Sequence, residues 1–97
     1  MTASSALREI AGGDEELLSQ LVSELSAALS TSIELLRGAV GDEEWRQRAH
    51  RLKGGALAIG CDRIAALAVH AEAHPDDRKT QLEKIDRAFA EEFSGSR

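Results

Sequence analysis

A chain of 97 residues with a formal net charge of −5 has room for one domain, which on folding buries about 60–65% of the surface that the extended chain exposes. Aromatic residues make up only 3% and Tyr is absent, while Leu and Ala abound, a composition that favours helices over a pleated sheet and predicts an all-α fold. The acidic balance repels a phosphate backbone and argues against general nucleic-acid binding. No apolar run approaches the roughly 20 residues needed to cross a bilayer, and Met1-Thr2-Ala3-Ser4-Ser5 lacks the basic and apolar regions of a secretion signal. The single Cys61 cannot form an internal disulfide, which fits a reducing, cytoplasmic setting. Gly12-Gly13 and Gly54-Gly55 match neither a phosphate loop nor a dinucleotide fingerprint, so any chemistry is expected to need a partner protein.

In chain order, the first expected element is a short leading helix over residues 2–10, stopped at Ala11-Gly12-Gly13. Asp14 then caps a long helix that runs to about Arg37, with Glu15 and Glu16 in the first turn, where the helix dipole favours negative charge. Leu18, Leu21, Val22, Leu25, Ala28, Leu29, Ser32, Ile33 and Leu36 recur at spacings of three and four and form its inward stripe. Gly38 and Gly41 punctuate a turn. Asp42 is the expected cap of the next helix, which turns Trp45, Ala49, Leu52, Ala56 and Ile59 inward and stops at Gly60. A third helix starts near Cys61-Asp62, buries Ile64, Leu67, Ala68 and Ala71, and ends at His74-Pro75, because the residue before a proline is pushed out of helical geometry. The fourth starts at Asp76 or Asp77, with Leu82, Ile85, Phe89 and Phe93 inward, and residues 94–97 read as a flexible tail. Four amphipathic helices joined by short turns predict a single domain, with its core between about residues 14 and 93. Its expected form is an antiparallel up-down-up-down four-helix bundle that closes its own core as a monomer.

One stretch departs from these rules. In Ala49-His50-Arg51-Leu52-Lys53-Gly54-Gly55-Ala56, two adjacent glycines occupy a helix interior, each costing about 1 kcal/mol relative to alanine. On a helical wheel His50 lies about 140° from the inward stripe and points to solvent, with Arg46, Lys53, Gly54 and Leu57 as its neighbours on that face. Gly54 leaves bare helix surface beside the imidazole, so that a large partner can approach closely. From Trp45 to Cys61 the chain carries Arg46, Arg48, Arg51 and Lys53 and no acidic residue, a local +4 in a chain of −5 that would steer an acidic partner toward His50. An imidazole, with an ordinary pKa of about 6.5, is a nucleophile that needs no separate base at neutral pH. Phosphoryl transfer asks chiefly for in-line positioning and charge neutralisation, which an exposed His with a Lys one turn on can supply from the acceptor side. An exposed histidine is by itself an ordinary solvated residue, and the residue chemistry leaves both readings open.

The run His50-Arg51-Leu52-Lys53-Gly54, followed by Ile59-Gly60, resembles the H-x-L-K-G motif of histidine-containing phosphotransfer (HPt) domains. The resemblance covers about residues 14–93 and implies a four-helix bundle with the histidine exposed near the middle of one helix. It implies that His50 accepts a phosphoryl group from the aspartate of a response-regulator receiver domain and passes it to another, with Lys53 stabilising the group and Gly54 keeping access clear. Arg46, Arg51 and Leu57 would form the docking patch. The partners implied are receiver domains, free or within a hybrid sensor histidine kinase. Mg2+ would be bound by the receiver, and no cofactor by this chain. Gly55 stands where the family more often has Ser or Ala, and Cys61 where Ala is frequent. The S-H-E-L-R-T-P box of dimeric sensor kinases is absent, so autokinase activity is not expected.

His70 and His74, at i and i+4, are spaced to place two imidazoles on one metal, but a zinc site needs three or four ligands and Cys61 lies two turns or more away. The expectation is therefore no metal site, with both histidines on the surface near a helix end. Cys61 reads as a small buried residue and Trp45 as core. The competing function class is a non-catalytic helical interaction module that docks an acidic partner through the basic stripe around His50.

Overall fold

A computed structural model of the chain describes Gly12 and residues 14–93; the expected leading helix and tail lie outside these residues. The described residues form four helices joined by short turns: α1 (Glu15–Arg37), α2 (Asp42–Ala58), α3 (Asp62–Ala73) and α4 (Arg78–Phe93). Among the described residues none is long and apolar enough to cross a membrane.

Each boundary has a local cause. Asp14 holds extended geometry at φ −79° and its carboxylate accepts the N–H groups of Glu16 and Leu17 at 3.0 and 3.1 Å, the expected cap of α1. The cap of α2 differs from expectation. Gly41, at φ +86°, takes the N-cap position without a side-chain bond, and Asp42 falls inside the first turn. There the Asp42 carboxylate accepts from Arg78 at 2.7 Å, a partner from α4 that a local reading does not contain. The α2–α3 turn closes as a Schellman motif, with Cys61 N–H on the Ala56 carbonyl at 2.8 Å, Gly60 N–H on that of Leu57 at 3.2 Å, and Gly60 at φ +79°. The fourth helix begins at Arg78, directly after Asp77, whose carbonyl accepts Gln81 N–H at 3.1 Å and so holds the cap position, while Asp77 N–H is held in the preceding turn by the His74 carbonyl at 3.2 Å.

The core is built mainly of Leu29, Ile33 and Leu36 from α1, Trp45, Ala49, Leu52 and Ala56 from α2, and Ile64, Ala65, Ala68 and Ala71 from α3. Ile59 is buried as expected, and Leu67 is only partly so. Toward the start of α1, Leu18 forms a second small cluster with Leu21, Val22 and Leu25. The stripe of α4 is rotated from its expected position: Gln81, Ile85, Ala88 and Glu92 are buried, while Leu82, Phe89 and Phe93 pack on the flanks of the core. The small Ala88 faces the other helices, and the Gln81 amide oxygen has His70 Nδ1 at 3.0 Å, so a polar residue sits inward with its hydrogen bond made.

Long-range polar contacts fasten the helices. Trp45, near the start of α2, is 1% exposed and donates its indole N–H to the Ala71 carbonyl near the end of α3 at 2.7 Å. Because the other ends of these two helices meet at the Gly60 turn, α2 and α3 form an antiparallel hairpin. The Arg78 guanidinium lies 5.6 Å from the centroid of the Trp45 ring, and donates to the Pro75 carbonyl at 2.9 Å as well as to Asp42. Arg37 joins α1 to α4 through Asp86 at 2.8 Å, and Arg48 joins α2 to α1 through the Leu35 carbonyl at 2.6 Å.

Trp45→Phe keeps an aromatic ring but removes the donor to a buried carbonyl. Urea unfolding is expected to show a loss of about 1–3 kcal/mol, and an unchanged midpoint would mean that this bond does not fasten the hairpin.

Candidate functional site

His50 lies in the middle of α2 with its side chain 65% exposed, and its Nδ1 stands 3.5 Å from Oε1 of Glu72 on α3. That distance is long for a firm hydrogen bond, yet it places a carboxylate against one ring nitrogen and leaves Nε2 as the other face of the imidazole. A shallow depression around the ring is lined by Glu43, Arg46, Gln47 and Glu72.

The residues expected around His50 are brought together unequally. Lys53 is partly buried one turn on, Leu57 is 53% exposed one turn beyond that, and Arg46 is exposed one turn before. Arg51 is exposed beside a neighbouring depression that it shares with Gln47 and Arg48. Gly54 opens onto solvent: a Cβ placed there would meet nothing within 4 Å. At Gly55 it would meet only Leu29 Cδ2 at 3.8 Å, an ordinary contact, and neither glycine has positive φ. Neither the space inside the bundle nor the backbone conformation requires glycine at either position.

The expected reversal of charge sign is smaller than the sequence run implies. Arg46 pairs with Glu43 at 3.9 Å, and Arg48 is engaged by Glu44 at 3.3 Å as well as by the Leu35 carbonyl. Glu43 and Glu44 lie just ahead of the run and Glu72 comes from another helix, so a count along the run misses all three. Of its four basic residues only Arg51 and Lys53 make no ion pair among the described residues.

Glu72, beside the His50 ring, is thus a residue of the candidate site that sequence reasoning missed. Val69, one turn earlier on α3, is 49% exposed. The available signal was the hairpin: His50 and Glu72 stand at nearly equal distances on either side of the Gly60 turn. Elsewhere, Cys61 is buried at the start of α3, and burial, with the Glu92 and Asp62 carboxylates, pushes its thiol up to about 11. It is a packed thiol, as expected, and not a reactive one. His70 and His74 sit on the side of α3 that meets α4, and no group of three or more metal-ligating side chains occurs among the described residues.

The model of the Hpt domain family matches residues 16–94, a span that takes in the H-x-L-K-G run and, but for Glu15, all four helices. The chain belongs to the Hpt domain family. No curated protein and no solved structure matches it. Membership assigns the chain to phosphotransfer in two-component signalling, where Hpt domains work with receiver domains.

With open space at position 54, Gly54→Ala is expected to raise stability by about 0.5–1 kcal/mol in urea unfolding. A loss of stability would show that the helix needs the glycine for a reason internal to the fold.

Proposed function

We propose that His50 is the phosphoacceptor of this Hpt domain, receiving the group from a receiver-domain aspartate and passing it to another receiver. The observation that supports the reading most is the imidazole itself: exposed, flanked by the open helix surface of Gly54, with Nδ1 turned to Glu72 and Nε2 left for reaction. With its proton on Nδ1, the ring carries its lone pair on Nε2. That pair attacks the phosphorus of the receiver's aspartyl phosphate; the N–P bond forms as the P–O bond breaks, and the carboxylate leaves with the receiver, which supplies Mg2+. The ring becomes cationic as the bond forms, and the Glu72 carboxylate beside Nδ1 offsets that charge. Lys53 places an ammonium one turn away to neutralise the phosphoryl oxygens.

The receiver docks over the hairpin face that carries Arg46, Arg51, Leu57 and Val69. Leu57 and Val69 offer apolar area on either side of the reacting groups, while Arg46, tied to Glu43, contributes less steering than an unpaired arginine. Gly54 matters through what is absent: the nearest approach of the receiver is to backbone. The donor side of the reaction belongs wholly to the partner, and the chain does not phosphorylate itself.

Incubation with a phosphorylated receiver, followed by intact-mass measurement, is expected to give an acid-labile, alkali-stable adduct on the parent and none on His50→Gln, which keeps its helix content and receiver binding. Gly54→Leu is expected to stay folded and to accept the group roughly a hundredfold more slowly, since small misplacements of reacting atoms carry costs of that order. If no receiver yields an adduct with folded parent protein, the interaction-module reading replaces phosphotransfer.

Glu72→Gln retains shape and removes the charge beside Nδ1. Because the pair is half exposed, the loss in transfer rate is expected to be about fivefold at most, without change in stability. A variant that matches the parent would remove Glu72 from the site.

A further inference from the structure

The depression around His50 contains a cation that the described residues hold only loosely. Arg46 lines it together with Glu43, Gln47, His50 and Glu72. Its guanidinium has one partner among the described residues, Glu43 Oε1 at 3.9 Å, a distance beyond hydrogen-bond range. The Glu43 side chain is 79% exposed and its other oxygen accepts Gln47 Nε2 at 3.3 Å, so water and an amide both compete for it. None of the five guanidinium N–H donors of Arg46 makes a hydrogen bond to a described residue. On the helical wheel Arg46 and Lys53 lie about 40° and 60° from His50, on the same side of it, one turn before and one turn after. Arg51 lies about 100° away on the other side, in the depression that it shares with Arg48.

We propose, resting on His50 as the acceptor, that Arg46 is a phosphoryl-binding residue: once His50 carries the group, the guanidinium leaves Glu43 and closes on the phosphoryl oxygens. Side chains on a helix lean back toward its start, so the His50 ring covers the turn that holds Arg46, while Lys53 leans toward the ring from beyond. The two cations bracket the group along the helix. A phosphoryl dianion is a stronger partner than one exposed carboxylate, and the planar fork of arginine matches two of its oxygens. Arg46 adds no atom and no proton to the transfer, in which the N–P bond forms as the P–O bond breaks. Its contact exists only in the phosphorylated chain, so it shifts the equilibrium of transfer toward His50. Glu43 works against that shift, because it offers Arg46 a partner when His50 is bare.

The test is phosphorus-31 magnetic resonance of the full chain, phosphorylated by a receiver and then separated from it, across a series of pH values. In Arg46→Gln, which gives up only an exposed side chain, the second ionisation of the phosphoryl group is expected about half a pH unit higher than in the parent, because a nearby cation favours the dianion. The equilibrium constant for transfer from receiver to His50 is expected to fall about fivefold. A part in docking alone would slow transfer in both directions and leave both quantities unmoved. Glu43→Gln is expected to move both the opposite way, and to do so less when Arg46 is already replaced. Identical titration and equilibrium constants in Arg46→Gln and parent would overturn the inference and leave His50 as the acceptor. A parent chain without a phosphoryl group on His50 would overturn it together with the function on which it rests.

Discussion

Everything that gives this surface its chemistry depends on the α2–α3 hairpin, and the hairpin depends on the indole of Trp45. Its N–H meets the Ala71 carbonyl at 2.7 Å in a buried setting, and the same carbonyl also accepts the His74 N–H at 3.1 Å, so the end of α3 is tied to the start of α2. With the Schellman turn at Gly60 holding the other end, the pairing of α2 with α3 is fixed, and with it the residue of α3 that faces His50. Arg78 reinforces the same corner by covering the Trp45 ring and bonding to Asp42. The aromatic that heads the inward stripe of α2 therefore governs, from more than one helical turn away, which carboxylate stands beside the exposed imidazole.

The outward face of α2 obeys a different constraint. Inward, Ala49, Leu52 and Ala56 are each fully buried, so this helix has a well-defined core side. Outward, it gives up helix propensity at Gly54, and beside it at Gly55, which faces Leu29 of α1, although neither position is crowded and neither backbone is left-handed. Stability sacrificed where the fold gains nothing is the pattern expected of a surface shaped for a partner. Phosphotransfer gives a physical reason for it: a donor aspartate and its metal must come within bonding distance of a nitrogen that projects only a side chain's length from the helix.

Much of this was legible in the sequence because it is local or periodic. The stripe of α2, the Asp14 cap, the stop at Gly60 and the outward direction of His50 all follow from spacing within one helix. What escaped depends on contacts between helices. Asp42 was expected to cap α2 and instead pairs with Arg78 across the bundle. Of the α4 stripe expected from Leu82, Ile85, Phe89 and Phe93, Ile85 is buried, whereas the rest of the buried line passes through Gln81, Ala88 and Glu92, with His70 meeting the Gln81 amide. Glu72, whose carboxylate stands 3.5 Å from the His50 ring, lies far along the chain from it. The basic stripe is weaker than the run implies for a local reason, since Glu43 and Glu44, the partners of Arg46 and Arg48, sit on α2 just ahead of it.

The central claim concerns one nitrogen atom. With Nδ1 turned toward Glu72, the phosphoryl group is expected on Nε2 of His50, and nitrogen-15 and phosphorus-31 magnetic resonance of the phosphorylated chain, labelled at histidine, reads this directly. Phosphorus coupled to Nε2 of His50, with the proton retained on Nδ1, is the expected result. A phosphoryl group on Nδ1, or on any residue other than His50, would contradict both the assignment of the acceptor and the part given to Glu72.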